Sequence, residues 1–125
     1  MTRVASPSPY APPIGFSAAA RAGDWIHVAG TTALDAEGTM VGGDDPAGQT
    51  REVLRKIAAA LDGAGASLAD VVRTRIYLTD AADWEAVGRV HGEAFATVRP
   101  AASMVVVGLL DPRMRVEIEA VAHVA

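Results

Sequence analysis

Two glutamates stand two residues apart in the alternating run Arg115-Val116-Glu117-Ile118-Glu119-Ala120-Val121-Ala122. On a β-strand that spacing puts both carboxylates on one face with Val121 and His123. Val116, Ile118, Ala120, Ala122 and Val124 share the other face. A carboxylate on a strand that also packs a core must reach a cation, a solvent cleft or a subunit boundary. If burial raises its pKa toward neutrality, it can carry protons to and from a reacting water. The competing assignment is an ion pair, because Arg73 and Arg75 share a face of another strand and can meet Glu117 or Glu119 across a sheet. For Glu119 the ion pair is the better reading. For Glu117 the residues alone leave both open.

Other groups with chemical potential are scattered. His91 falls on an apolar helix stripe, where a satisfied, half-buried histidine is the simpler reading; a functional role requires that it point into a cleft. His27 and His123 share no metal-ligand spacing with another His, Asp or Glu, so no metal site is expected. Thr31, Thr32 and Ser103 offer hydroxyls to a ligand or, equally, to local backbone groups. Gly42-Gly43 lacks the Lys-Ser/Thr ending of a phosphate loop. Without cysteine there is no thiolate chemistry and no disulfide.

Composition narrows the class. The 125 residues suffice for one domain, and half of them are hydrophobic. A net charge of -4 with scattered Lys and Arg gives no nucleic-acid footprint. No apolar run approaches the roughly 20 residues of a membrane span, and no signal core follows the N-terminus. A cytoplasmic protein without a cofactor is the expectation.

The elements that must position these groups follow from periodicity. Residues 1–13, with four prolines, read as an irregular arm, and 14–125 as one domain. Ile14 to Ala20 and Trp25 to Ala29 read as strands around an Arg21-Ala22-Gly23-Asp24 turn. Asp44 or Asp45 caps a helix in which Val53, Leu54, Ile57, Ala58, Leu61 and Ala64 recur at helical spacing. Asp70 to Leu78 is a strand with Val72, Thr74, Ile76 and Leu78 on one face. Thr79 or Asp80 caps a second helix striped by Trp84, Val87, His91, Ala94 and Phe95, with Trp84 and Phe95 as core residues. Val105 to Val107 reads as a strand covered on both faces, joined through Asp111-Pro112 to the strand carrying the glutamates. The order ββαβαββ gives an α+β fold, a mixed sheet with both helices on one face. The other face has no cover within one chain, so self-association is expected.

The C-terminal pieces Pro100-Ala101-Ala102-Ser103 and Glu117-Ile118-Glu119-Ala120 resemble the signature of the Rid (YjgF) superfamily, usually Pro-Ala-Arg-Ser, a hydrophobic strand, then Glu-Ile-Glu-Ala. Gly15-Phe16-Ser17, Ala29-Gly30, Asp45 through Gln49-Thr50, Gly65-Ala66-Ser67, Asp70-Val71-Val72-Arg73 and Tyr77-Leu78-Thr79-Asp80 extend the match in order from about Ile14 to Ala122. The resemblance implies a chorismate-mutase-like protomer, a homotrimer, and small-molecule clefts between subunits. It assigns Glu117 as the acid that activates water. The ligand-facing positions it suggests are Phe16, Ser17, Gly30, Thr31, His91, Ala102, Ser103 and Met104. Ala102 stands where the family's substrate-binding arginine belongs, and Gly88 where an asparagine is common. This pattern looks like a divergent branch.

The implied function is hydrolysis of a small imine, enamine or related reactive metabolite other than 2-aminoacrylate. The alternative is a non-catalytic trimer that binds a small molecule or partner. An endoribonuclease role, suggested by older family naming, sits poorly with the acidic charge balance.

Overall fold

Helix α2 (Pro46–Gly63) forms where the 3.6-residue period is sustained longest. It starts where Asp45 accepts a hydrogen bond from the Ala47 N–H, with Pro46 at its first position. It buries Val53, Leu54, Ile57, Ala60 and Leu61. Arg21 closes its far end by donating to the Ala64 carbonyl at 2.8 Å, a cation at the negative end of the helix dipole. The computed structural model describes all 125 residues as one six-stranded mixed sheet with α2 and a second long helix, α3 (Trp84–Ala94), on the same face.

The strands are β1 (Thr2–Val4), β2 (Ala19–Ala22), β3 (Trp25–Thr31), β4 (Val71–Leu78), β5 (Ala101–Val106) and β6 (Val116–His123), in spatial order β1-β2-β3-β6-β4-β5. Only β4 and β5 run parallel. The last strand inserts between β3 and β4, so its alternation decides both faces of the sheet centre. Val116, Ile118, Ala120 and Ala122 are buried beneath the helices. Glu117 and Glu119 stand on the other face, opposite Tyr77 and Arg75 of β4.

Several expectations are corrected. Residues 1–13 are not an irregular arm. Thr2–Val4 pairs antiparallel with β2, and Ala11–Ile14 forms a one-turn helix, α1. Its two prolines lie at the first helical positions, where no N–H is needed, so they favour the turn they were expected to forbid. The first predicted strand begins later, at Ala19 instead of Ile14. A register shift between Val71 and Arg73 makes Val71, rather than Val72, the buried residue of its pair. Val105 and Val106 are not covered on both faces. They lie on the edge strand and are 46 % and 56 % exposed in the protomer. Phe95 is a core residue, but Trp84, at the first turn of α3, is 59 % exposed.

The N-terminal ends of both long helices are tied to β6 by one polar cluster. Gln49, fully buried, donates to the carbonyls of Gly43 (2.7 Å) and Arg113 (2.9 Å) and accepts from the Arg115 N–H (2.9 Å). Arg115 in turn forks onto Asp83, just before α3, and reaches Asp44, just before α2. Gly42, at φ 88°, lets this corner close, since a Cβ there would lie 2.6 Å from the Gly48 backbone. Gln49→Ala should leave three backbone groups of a half-buried corner without their partner and lower stability by about 1 kcal/mol or more. Urea unfolding should show a lower midpoint at an unchanged slope; an unchanged midpoint would refute the role given to this side chain.

Candidate functional site

Glu117 and Glu119 share a strand face and have different surroundings. Glu119 accepts from Arg75 Nη1 at 3.0 Å and from the Tyr77 hydroxyl at 2.8 Å. The Tyr77 pKa rises because its hydroxyl donates to that carboxylate. The ion pair expected for Glu119 is therefore present. Glu117 makes no hydrogen bond or ion pair within the protomer: Arg75 is held by Glu119, and Arg73 donates to the Ser103 hydroxyl at 2.9 Å. Half-buried and without a cation, Glu117 has its pKa raised, mainly by desolvation and further by the neighbouring charge of Glu119.

What holds the Glu117 side chain is a gap in β3. The pairing of β3 with β6 shifts register between Val28 and Thr31, and Gly30 lies in that irregularity. A Cβ at Gly30 would sit 2.5 Å from Glu117 Oε1. The carboxylate thus rests against bare backbone that any other residue would cover.

The remaining predicted positions divide into separate places. Phe16, Gly30 and Thr31 line a cavity of about 210 Å³ between the N-terminal segment, β3 and α2, a cavity that Glu117 does not line. Ser17 lies on the open sheet face, in a shallow depression with Arg73, Arg75 and Glu119. Ser103 belongs to that face also, through Arg73. Ala102 is in register with Thr74, and Met104 with Ile76, both buried beneath the helices, so Ala102 and Met104 face the helix side of β5. Met104 Cε lies 3.8 Å from where a Gly88 Cβ would stand. His91 shares a 2.9 Å hydrogen bond with the buried Thr74 hydroxyl and packs on Phe95, with ring centroids 4.6 Å apart. Burial lowers its pKa, favouring the neutral imidazole. It also lines a surface groove with Phe95, Arg99 and Pro100.

Two half-sites result. One joins Gly30 and Glu117 at the β3–β6 irregularity. The other gathers His91, Ala102 and Met104 at the β5 edge. Strands β6 and β4 lie between β3 and β5, a separation of about 14 Å, and the halves occupy opposite faces. Sequence reasoning did not anticipate this division, nor did it single out Lys56, whose ammonium donates to the carbonyls of Thr32 (2.7 Å) and Leu34 (2.9 Å). No motif marks that lysine; only its tertiary contacts do.

Gly30→Ala keeps an ordinary backbone conformation, so the strain falls on the flexible end of Glu117. The substitution should expel the carboxylate toward solvent with little change in melting temperature. Carboxyl-detected NMR should then show Glu117 titrating at lower pH than in the parent protein. An unchanged titration would mean that Gly30 does not hold the carboxylate in its desolvated position.

Comparison with known proteins agrees with this architecture. The family model described as Endoribonuclease L-PSP matches residues 6–124. The 3-aminoacrylate deaminase RutC of Acinetobacter baylyi is 41 % identical over 119 residues, covering 95 % of this chain and 92 % of that protein. The crystal structure of Rv2704 from Mycobacterium tuberculosis, described as a member of the YjgF/YER057c/UK114 family, superposes with a TM-score of 0.89 at 51 % identity and 98 % coverage of both chains. The YjgF gene product of E. coli superposes with a TM-score of 0.84 at 25 % identity, again over 98 % of each chain. With the sheet order, the helix layer and the Glu117 strand all in place, the chain belongs to the YjgF/RidA family.

Proposed function

We propose that this protein hydrolyses a small imine or enamine at clefts formed between protomers of a homotrimer, with Glu117 moving the protons. The observation that carries this reading is the half-buried Glu117 carboxylate, unpaired within the protomer and raised in pKa, against the bare backbone of Gly30. A raised pKa suits a group that must both give and take a proton near neutrality. In its acid form Glu117 protonates the enamine carbon, giving the iminium. As carboxylate it then takes a proton from water while the oxygen adds to the iminium carbon. The same proton passes to nitrogen; as ammonia leaves and the C=O bond forms, the Glu117 carboxylate takes the hydroxyl proton and returns to its acid form.

The trimer supports the site chemically. Glu117 and the β5 edge cannot meet around one ligand within a protomer, but a second copy can bring its β5 edge to the first copy's Glu117. Val105 and Val106 supply apolar surface for that contact. Ala102 offers no cation, so a substrate carboxylate loses the bidentate grip an arginine would give. The similarity to a 3-aminoacrylate deaminase makes that enamine the first substrate to test, with 2-aminoacrylate turned over poorly. An RNA-cleaving role is disfavoured by the net charge and by the engagement of Arg73 and Arg75 with Ser103 and Glu119.

Glu117→Gln should lower kcat for 3-aminoacrylate by about 100-fold or more, read as ammonia release above the spontaneous rate. It should not destabilise the protein, because no cation is left unpaired. With its folded pKa raised, Glu117 in ionised form costs stability. That cost is absent below the unfolded value of about 4.3 and complete once the pH has passed the folded value. The variant should therefore melt higher at pH 7, with the gain vanishing as the pH falls toward 4. Unchanged turnover, or a large loss of stability, would reject the catalytic assignment. Parent protein that binds the enamine without accelerating ammonia release would favour the non-catalytic binding role.

The trimer itself is testable by light scattering at micromolar concentration. A mass of three chains is expected. A stable monomer would remove the cleft and the mechanism built on it.

A further inference from the structure

Glu117 is without a partner although the strand beside it carries two donors. Tyr77 is the residue directly across β4 from Glu117, and Arg75 lies one diagonal step away, opposite Glu119. Direct pairs stand about 5 Å apart between Cβ atoms and diagonal ones about 7 Å, so both side chains are long enough to reach Glu117. Neither donates to it. The Tyr77 hydroxyl bypasses its own register partner and donates to Glu119 Oε1 at 2.8 Å. Arg75 Nη1 donates to that same oxygen at 3.0 Å.

The other polar groups around Glu117 are engaged elsewhere. Arg73 of β4 donates to the Ser103 hydroxyl. From β3, Thr31 donates its hydroxyl to the Ala29 carbonyl at 2.8 Å, and Gly30 brings no side chain. His27 pairs with Val121, beyond Glu119 along the strand. Arg115, two residues before Glu117, forks onto Asp83 and reaches Asp44. Tyr77 and Arg75 are thus the donors that the β4 register brings to Glu117, and one oxygen of Glu119 takes both. A carboxylate that gains a cation or a hydroxyl donor holds its ionised form more firmly, so the two glutamates compete for this pair. The charge of Glu119 also disfavours a second negative charge at Glu117.

We propose that Glu119 is a positioning residue for Glu117: it claims the Arg75 guanidinium and the Tyr77 hydroxyl, which would otherwise settle on Glu117, and so keeps the working carboxylate unpaired. Arg75 sets how much of the Glu119 charge reaches its neighbour. The consequence for turnover rests on the hydrolytic reading of Glu117. The division of donors between the two carboxylates is measurable without any substrate. The Arg75–Glu119 pair has side-chain exposures of 51 % and 32 %, so its loss should cost the fold little.

Carboxyl-detected NMR of the full chain reads the Glu117 titration directly, and the pH dependence of kcat/KM for 3-aminoacrylate reads its effect on turnover. Glu119→Ala frees Arg75 and Tyr77 and should lower the Glu117 midpoint by about one pH unit or more. The alkaline limb of kcat/KM, which follows the acid form of Glu117, should move down with it. Glu119→Gln removes the charge but keeps an oxygen for both donors, so its shift should have the same direction and be smaller. Arg75→Met leaves Glu119 its full charge and should move the midpoint up. Adding Arg75→Met and Tyr77→Phe to Glu119→Ala should reverse part of the fall, since the freed donors are then gone. A merely loosened structure would instead bring the midpoint down toward the ordinary carboxyl value in every variant, Arg75→Met included. The proposal is overturned if Glu119→Ala leaves the midpoint unchanged, or if Arg75→Met lowers it. Midpoints that move as expected beside a fixed pH profile would uphold the role of Glu119 and reject Glu117 as the proton carrier.

Discussion

β6 lies between β3 and β4, and its two faces have incompatible requirements. Val116, Ile118, Ala120 and Ala122 must be dry beneath the helices, and the period of two then forces Glu117 and Glu119 onto the opposite face at the centre of the sheet. A one-residue slip would carry both carboxylates into the core, so the register is fixed by the cost of burying charge. The Gln49 and Arg115 contacts secure this register at the start of the strand by fastening the Arg115 N–H and guanidinium to the beginnings of α2 and α3. The position of Glu117 is thus a consequence of hydrophobic packing on the other side of its own strand.

The two glutamates then diverge because their cross-strand neighbours differ. Glu119 faces Arg75 and receives Tyr77 as well, so its charge is answered inside the protomer. Glu117 faces Tyr77 across β4 and Gly30 across β3, neither of which brings a charge. Desolvation without a counter-charge raises a carboxyl pKa, and the glycine leaves the space in which that desolvated group can sit.

Much of this order was readable in the residues. The helical period and Asp45 cap of α2, the alternation of β6 and the Arg75–Glu119 pair are local patterns or follow directly from them. Most of the failures concern pairings between distant segments. β1 carries no period of its own and exists because β2 offers it an edge. Val105 and Val106 look like a covered strand because β-branched runs usually are, yet the sheet order puts them at the edge. Trp84 falls on an apolar stripe, yet as the first residue of α3 it stays exposed. For the candidate site, the residue types pointed to Glu117, while the separation of Gly30 from Ala102 depends on two strands whose order periodicity does not encode.

The brevity of β1 has a consequence for colloidal behaviour. An open sheet presents two rows of free backbone groups, and long flat edges recruit other chains without limit. Here one outer strand has only three residues, Thr2–Val4, the middle of them an arginine exposed to solvent. A foreign strand docking there gains few hydrogen bonds and must accommodate a charge. The six-residue β5 at the other margin can pair only with the β5 of another copy, a contact that closes at two chains, so propagation of the sheet into fibres stops at the short, charged β1 edge.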